Sequence, residues 1–177
     1  MANNNNAKLA PTGTVTDSVL IAIRKIIQSI AMNSKSLVKR VGLTGPQLII
    51  LREVVHSGEI SVGEVAKAIS LSQGTVTGIL ERLEKRELVI RRRSEFDRRR
   101  VLVHATEAGK VLMRTAPPLM QEAFVERFGA LQDWEQAMIL SALQRLVSIM
   151  DAKTIHAAPI LATGPIDESN AKPEPEK

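Results

Sequence analysis

The chain has 177 residues, enough for one well-packed core with flanking tails and too few for two domains of ordinary size. It contains no cysteine, which excludes disulfides and thiolate metal sites, and only 2% aromatic residues, which favours helices packed on helices over a large sheet. The formal net charge is +5, and neither a secretion signal nor the roughly 20 apolar residues that span a bilayer are present, so we expect a cytoplasmic protein.

A long helix is predicted near the start of the chain. Residues 1–14 carry a run of asparagines and are expected to form a disordered arm. Apolar residues then recur at helical spacing over residues 15–41, until Gly42 ends the pattern. We therefore predict a first helix over residues 15–41.

Two capping boxes predict the next two helices. Thr44 is followed three residues later by Gln47, which favours a helix that continues to about His56. Ser61 and Glu64 repeat the same spacing before a second apolar run, so a short third helix is expected there.

The fourth predicted helix begins after Ser72, a residue suited to the N-cap position. One face is apolar at spacings i, i+3, i+4 and i+7 and consists of Val76, Ile79, Leu80 and Leu83. The opposite face carries short polar or basic residues, namely Gln73, Thr75, Thr77, Gly78 and Arg82. Such a slim face can approach base edges in the major groove of DNA. The alternative is an ordinary solvent face, although that would more often carry Glu and Lys.

A basic hairpin is predicted after the fourth helix. Residues 88–90 and 101–103 are short β-prone runs that flank a highly basic loop over residues 91–100. Residues 82–100 contain nine basic and four acidic residues, so this one segment accounts for the whole net charge of +5. A concentrated positive charge is expected of a surface that meets a polyanion, whereas the alternative is a solvated charged face.

The last predicted helices are separated by a proline break. A helix capped by Thr106 meets Pro117 and Pro118, resumes over residues 119–128, and is followed by a final helix after Asp133. From residue 152 the composition becomes rich in Pro and Ala. Residues 152–177 are expected to form a mostly disordered tail, of which residues 155–161 are apolar enough to dock on the domain.

The order of these elements and several motifs resemble the MarR family of bacterial regulators. Residues 71–89, LSQGTVTGILERLEKRELV, look like the recognition helix of that family. The family's wing-to-helix motif is matched by Asp97, Arg98, Arg99, Val101, Val103, Thr106 and Gly109. The resemblance covers one domain over residues 15–151, with a DNA-binding lobe over 44–105 and dimerisation helices over 15–41 and 106–151.

The resemblance implies a mainly α fold, a winged helix-turn-helix with a small β-hairpin wing. It also implies a homodimeric transcriptional repressor that binds a near-palindromic operator in duplex DNA and responds to a small-molecule effector held among apolar residues of the first, second and fifth helices. Asp97 would orient Arg99 at the wing tip toward the narrow minor groove. The expected DNA-binding residues are Ser72, Gln73, Thr75, Thr77, Arg82, Arg93, Asp97, Arg98 and Arg99.

The chain departs from the family's pattern at Glu87 and at Ala105, where a larger aliphatic residue is common. Glu87 stands where relatives usually place the glycine that ends the recognition helix, so the turn before the wing must close without the residue that most easily adopts positive φ. Residues 24–27 and 42–48 also resemble, more weakly, a subgroup that regulates ectoine and other compatible-solute genes.

Other classes of function fit the sequence less well. An enzyme is not expected, because His56, His104 and His156 are widely separated and no nucleophile motif or phosphate-binding glycine loop is present. No cofactor or metal is expected either. The main alternative is a winged-helix adaptor that binds proteins, but a basic wing argues against it. The lack of aromatic residues for base stacking argues against RNA.

Overall fold

The computed structural model describes residues 14–95, 97, 100–155 and 157–162. Within this part of the chain there are seven α-helices and three short strands. In chain order they are α1 (Val15–Val41), α2 (Gly45–Ser57), β1 (Glu59–Ser61), α3 (Val62–Ala68), α4 (Gln73–Lys85), β2 (Val89–Arg93), β3 (Val101–Ala105), α5 (Glu107–Thr115), α6 (Met120–Gly129) and α7 (Asp133–Ile149). The prediction of a mainly α fold with a small β-hairpin wing is confirmed.

Side-chain caps explain where several helices begin. The amide of Thr44 donates to Gln47 Oε1 at 2.9 Å, and the amide of Ser61 donates to Glu64 Oε2 at 2.9 Å, as the two predicted boxes require. Thr106 Oγ1 likewise accepts from the amide of Gly109 at 3.0 Å. The helix starts read from these residues are therefore confirmed.

The wing is part of a three-stranded antiparallel sheet with strand order β1-β3-β2. Strands β2 and β3 form the predicted hairpin, with Val89 opposite Ala105 and Arg93 opposite Val101. Strand β1 was not predicted, because three residues are too short to show an alternating pattern. It exists because β3 offers a free edge, on which Ile60 lies opposite Val103.

The core lies beneath α4, where α2, α3 and α5 pack around it and against the sheet. Its fully buried side chains include Leu48, Leu51, Val76, Leu80, Leu83 and Val103. Helix α5 approaches so closely that a Cβ on Gly109 would lie 2.2 Å from the carbonyl oxygen of Leu88. Only glycine fits there, which explains the position's place in the wing-to-helix motif.

The outer helices leave large apolar surfaces exposed. Helix α1 contributes only Leu37 to the buried core, and α7 contributes no buried residue. The exposed large apolar residues of these two helices include Leu20, Ile26, Ile27, Trp134, Met138, Leu143 and Val147. Within the described residues, no helix combines the length and the apolarity needed to cross a membrane.

The C-terminal part of the fold follows the proline prediction. Helix α5 ends at Thr115, and α6 begins at Met120 after Pro117 and Pro118. Part of the tail that was expected to be mostly disordered has a defined position, because Pro159 and Leu161 hydrogen-bond to Gln121 of α6. The disordered arm is predicted over residues 1–14, of which residues 1–13 lie outside the described part of the chain, as do residues 163–177. Thr14 is the N-cap of α1, so the prediction of disorder is wrong at that residue.

Helix α4 ends in a turn with an unfavourable residue at its centre. The amide of Glu87 donates to the carbonyl of Glu84 at 2.8 Å, and the amide of Leu88 donates to that of Leu83 at 3.0 Å. This pair of bonds defines a Schellman motif, whose central residue is left-handed. Glu87 indeed has φ +57°, a conformation that a residue with a Cβ adopts at a cost.

Replacing Glu87 with Gly is expected to stabilise the protein by about 0.5–1 kcal/mol, because relief of the left-handed strain exceeds the extra chain entropy of glycine when unfolded. Urea unfolding followed by circular dichroism measures this. Lys85→Gly, two residues earlier at the last helical position of α4, is the control and is expected to destabilise by about 0.5–1 kcal/mol. A loss of stability in Glu87→Gly would contradict the explanation.

Candidate nucleic-acid interface

The exposed face of α4 is positioned by its buried face. Val76, Ile79, Leu80 and Leu83 are all buried against the core, which fixes the rotation of the helix about its axis. The five residues predicted for DNA contact on this helix consequently lie on its outer side or at its start: Ser72, Gln73, Thr75, Thr77 and Arg82. Ser72 and Gln73 are exposed, whereas Thr75, Thr77 and Arg82 are partly buried.

Two of these side chains also have structural roles. Ser72 Oγ accepts the amide of Thr75 at 3.1 Å and shares a hydrogen bond with Thr75 Oγ1 at 2.8 Å, so it is the N-cap of α4. Thr77 Oγ1 donates to the carbonyl of Gln73 at 2.8 Å. The hydroxyl of Ser72 thus caps the start of the helix, whereas the side chain of Gln73 is exposed.

Gln73 is accommodated by a glycine of the neighbouring helix. A Cβ built on Gly63 of α3 would lie only 3.2 Å from Gln73 Nε2. The absence of a side chain at Gly63 therefore leaves room for the amide of Gln73 at the junction of α3 and α4.

The base of the wing is tied to α4 by Arg91. Its guanidinium contacts Glu84, with Nε at 2.8 Å and Nη2 at 2.7 Å from Oε2, and lies 3.7 Å from Glu81. Its backbone amide also donates to Glu84 Oε1 at 3.1 Å. These bonds and the nearby positive charge lower the pKa of Glu84, so the carboxylate stays ionised.

The other end of the wing loop is tied to α3 by Arg100. Arg100 Nη2 lies 2.9 Å from Glu64 Oε1 and 3.4 Å from Ser61 Oγ. Arg91 and Arg100 are therefore both paired with carboxylates of the protein itself. Arg92 and Arg93 are exposed and form no ion pair within the described residues.

The loop between β2 and β3 closes on itself through main-chain bonds. The amide of Ser94 donates to the carbonyl of Arg100 at 3.0 Å, and the amide of Arg100 donates to that of Asp97 at 2.9 Å. The amide of Asp97 also donates to Ser94 Oγ at 3.3 Å, and Ser94 is buried. Arg98 and Arg99 lie outside the described residues, so the predicted pair between Asp97 and Arg99 stays a prediction.

Glu64 serves both the start of α3 and the wing. Hydrogen bonds from the hydroxyl and the amide of Ser61, together with the nearby Arg100 guanidinium, lower the pKa of Glu64 to about 2. The carboxylate is therefore charged at every physiological pH. No signal in the sequence indicated this link, because Glu64 and Arg100 are 36 positions apart.

A second link missed from the sequence joins α4 to α1. Arg86, the residue after α4, donates through Nη1 to the carbonyl oxygen of Gly42, the C-cap of α1. Gly42 itself has φ +69°, and its amide donates to the carbonyl of Val38. A cation that binds the last carbonyls of a helix is favourably placed in the helix dipole.

A cavity of about 420 Å³ lies between α2 and α6. It is lined by the apolar residues Ile49, Ile69, Leu119 and Val125 and by polar residues that include Glu53, Gln121 and Glu126. An ion pair between Arg52 and Glu122 lies at its edge. The effector was predicted to lie among apolar residues of the first, second and fifth helices. The cavity shares α2 with that prediction, and its other main wall is α6.

Glu64→Gln is expected to reduce the dependence of stability on acid pH. A lowered pKa means that the stabilisation from Glu64 is present above about pH 4.5 and is lost as the pH falls toward about 2. Glutamine keeps the capping box and removes the charge that faces Arg100. Free energies of unfolding between pH 5 and pH 2, with the exposed Glu126→Gln as the control, measure the difference. Identical pH profiles for Glu64→Gln and the parent protein would refute this role.

Comparison with known proteins identifies the family. A sequence profile of the MarR family matches residues 41–100. The HTH-type transcriptional regulator SarZ of Staphylococcus epidermidis is 31% identical over 117 residues, which cover 66% of this chain and 78% of that protein. The HTH-type transcriptional repressor NicR of Pseudomonas putida is 34% identical over 105 residues, which cover 59% of this chain and 66% of that protein.

A solved structure agrees with these relatives. BpsR of Bordetella bronchiseptica, whose DNA binding is regulated by 6-hydroxynicotinic acid, superposes with a TM-score of 0.50 and 29% identity, covering 73% of this chain and 98% of that one. The prediction of a regulator, and not an enzyme, is confirmed by these relatives. The chain belongs to the MarR family of DNA-binding transcription regulators.

Proposed function

We propose that the protein is a homodimeric repressor that binds a near-palindromic operator and is released by a small molecule. The observation that carries the proposal is the slim polar face of α4 beside the exposed Arg92 and Arg93 of the wing. A regulator of chromosomal genes acts in the cytoplasm, so that location is part of the proposal. The weaker resemblance to regulators of compatible-solute genes stays a prediction.

Helix α4 would supply sequence discrimination in the major groove. The carboxamide of Gln73 can donate to N7 and accept from N6 of one adenine, a pairing that neither phosphate nor a G·C pair reproduces. Thr75 and Thr77 offer short contacts on the same side of the helix, and Arg82 lies one turn further on, in a position suited to phosphate. Ser72 would present the helix N-terminus, whose positive dipole favours the DNA backbone.

The wing would supply affinity that does not depend on sequence. Arg92 and Arg93 at the end of β2 are available to phosphates, and each contact releases condensed counterions. Arg98 and Arg99 belong to the same proposal by resemblance, with Asp97 orienting Arg99 toward the minor groove. Arg91 and Arg100 have the different role of holding the wing against α4 and α3.

Arg93→Ala and Gln73→Ala are expected to weaken DNA binding in different ways. Loss of Arg93 removes a phosphate contact, so affinity falls about tenfold for all sequences alike and the salt slope of log Kd falls by about 1. Loss of Gln73 relaxes the preference at one base pair by about 1–3 kcal/mol. Fluorescence anisotropy with operator and scrambled duplexes, at several salt concentrations, separates the two effects.

Lys153→Ala is the control for Arg93→Ala. Lys153 is exposed and lies after α7, outside the proposed DNA-binding lobe and dimerisation helices, and its loss also removes one positive charge. Binding that is weakened equally by both replacements would indicate a general effect of net charge. Absence of any sequence-selective binding by the parent protein would instead favour the adaptor alternative.

The dimer would be formed by the exposed apolar faces of α1 and α7. A monomer rarely exposes contiguous apolar patches beyond a few hundred Å², and these two helices display many large aliphatic side chains. Two copies related by a two-fold axis would bury these faces and place two α4 helices on successive major grooves, about 34–36 Å apart.

Light scattering is expected to give twice the chain mass of 19.4 kDa. Leu143→Asp is expected to shift the protein toward monomer at micromolar concentration, because a carboxylate would be buried without a partner. Val101→Asp on β3 is the control, since Val101 lies outside the predicted dimerisation helices and is 37% exposed, compared with 47% for Leu143. A monomeric parent protein would contradict the proposed dimer.

The effector would occupy the cavity between α2 and α6. Its volume of about 420 Å³ is in the range of small-molecule sites, and its apolar side chains are accompanied by the Arg52–Glu122 ion pair and by the carboxylates of Glu53 and Glu126. BpsR, whose DNA binding is regulated by 6-hydroxynicotinic acid, supports a small-molecule effector. Binding between the DNA-binding lobe and the dimerisation helices would favour one spacing of the two lobes over another.

A further inference from the structure

The chain itself occupies a groove next to the proposed effector cavity. The occupant is the C-terminal segment, defined here as residues 157–162. Gln121 of α6 binds this segment twice, because its Nε2 donates to the carbonyl of Pro159 at 2.7 Å and its Oε1 accepts the amide of Leu161 at 3.4 Å. Both polar atoms of one side chain are therefore engaged with main-chain groups of the segment.

The side chain of Leu161 lies against this groove and is 36% exposed. It lines a small recess together with Leu37 of α1, Ile49 of α2 and Leu119 before α6. Ala162 lies next to Gly45 at the start of α2, where a Cβ built on Gly45 would be 3.7 Å from that of Ala162. The segment is thus held against α2 and α6 and borders α1.

The groove and the cavity share walls. Ile49, Leu119 and Gln121 line both the groove that holds Leu161 and the cavity of about 420 Å³. A ligand that enters the cavity and uses the carboxamide of Gln121 must break its bonds to Pro159 or Leu161. A ligand large enough to extend past Gln121 meets Leu161 directly.

We propose that the C-terminal segment is a built-in competitor of the effector. This inference rests on the proposed effector cavity and adds the regulation of that site. A segment seated in about nine of ten molecules weakens the apparent ligand affinity about tenfold, because only the remaining fraction is competent to bind. Since the segment spans α1, α2 and α6, its release also removes a link between the DNA-binding lobe and the outer helices.

A reversible lock tests the competition. The chain contains no cysteine, and the Cβ separation of 3.7 Å between positions 45 and 162 suits a disulfide. Gly45→Cys with Ala162→Cys in the full-length chain is therefore expected to form one disulfide within the chain under mild oxidation. The reduced form of the same variant is the matched control.

The probe is 1-anilinonaphthalene-8-sulfonate, an aromatic body with one anionic group, followed by its fluorescence. Its Kd is expected to be more than tenfold higher for the oxidised variant than for the reduced one, because the locked segment cannot leave and almost no molecule is competent to bind. Leu161→Asp, which removes the apolar contact of the segment, is expected to bind the probe up to about tenfold more tightly than the parent protein. Ile155→Asp changes an exposed residue four positions before Pro159, outside the C-terminal segment, and is expected to bind the probe as the parent protein does.

Three results would overturn the proposal that the segment competes with the ligand. They are failure to form the disulfide within the chain, equal Kd values for oxidised and reduced protein, and no binding of the probe by any form. Operator binding of the reduced variant, measured in parallel by gel shift, reports separately on the proposed function. If the reduced variant does not bind the operator while its oxidised and reduced forms still differ in Kd for the probe, the repressor function is refuted and the competition is not.

Discussion

Two arginine–carboxylate contacts fix the position of the wing relative to α3 and α4. Arg91 joins the wing to Glu84 of α4, and Arg100 joins it to Glu64 of α3. A two-stranded hairpin is marginally stable by itself in water, so these contacts and strand β1 fix its direction relative to α4. The direction of the wing relative to α4, on which the proposed contacts with DNA depend, is therefore set by charges that are paired within the protein.

Much of the fold was predictable because it follows from local patterns. The helix starts at Thr44, Ser61 and Thr106 follow from capping residues, and the apolar spacing of α4 fixes which of its faces is exposed. Such features depend on neighbours within four or five positions. Strand β1 could not be predicted, since its three residues take their conformation from pairing with β3, more than 40 positions later.

The structure shows partners of the predicted site residues that the sequence did not indicate. The charge of residues 82–100 indicated a polyanion-binding surface, but sequence proximity does not say which arginines already have a carboxylate partner. Arg91 and Arg100 are bound by acidic residues that lie 7 and 36 positions away. Likewise, the hydroxyl of Ser72 is both a helix cap and part of the outer face, and only the three-dimensional structure separates these uses.

The contact between Arg86 and the Gly42 carbonyl has a mechanical consequence. It connects the end of α4 to the end of the 27-residue helix α1. A helix of that length spans about 40 Å, so a rotation of a few degrees about its C-terminal end displaces its N-terminal end by a few ångströms. Because Arg86 joins the two helix ends, α1 cannot move away from the end of α4 without breaking this hydrogen bond.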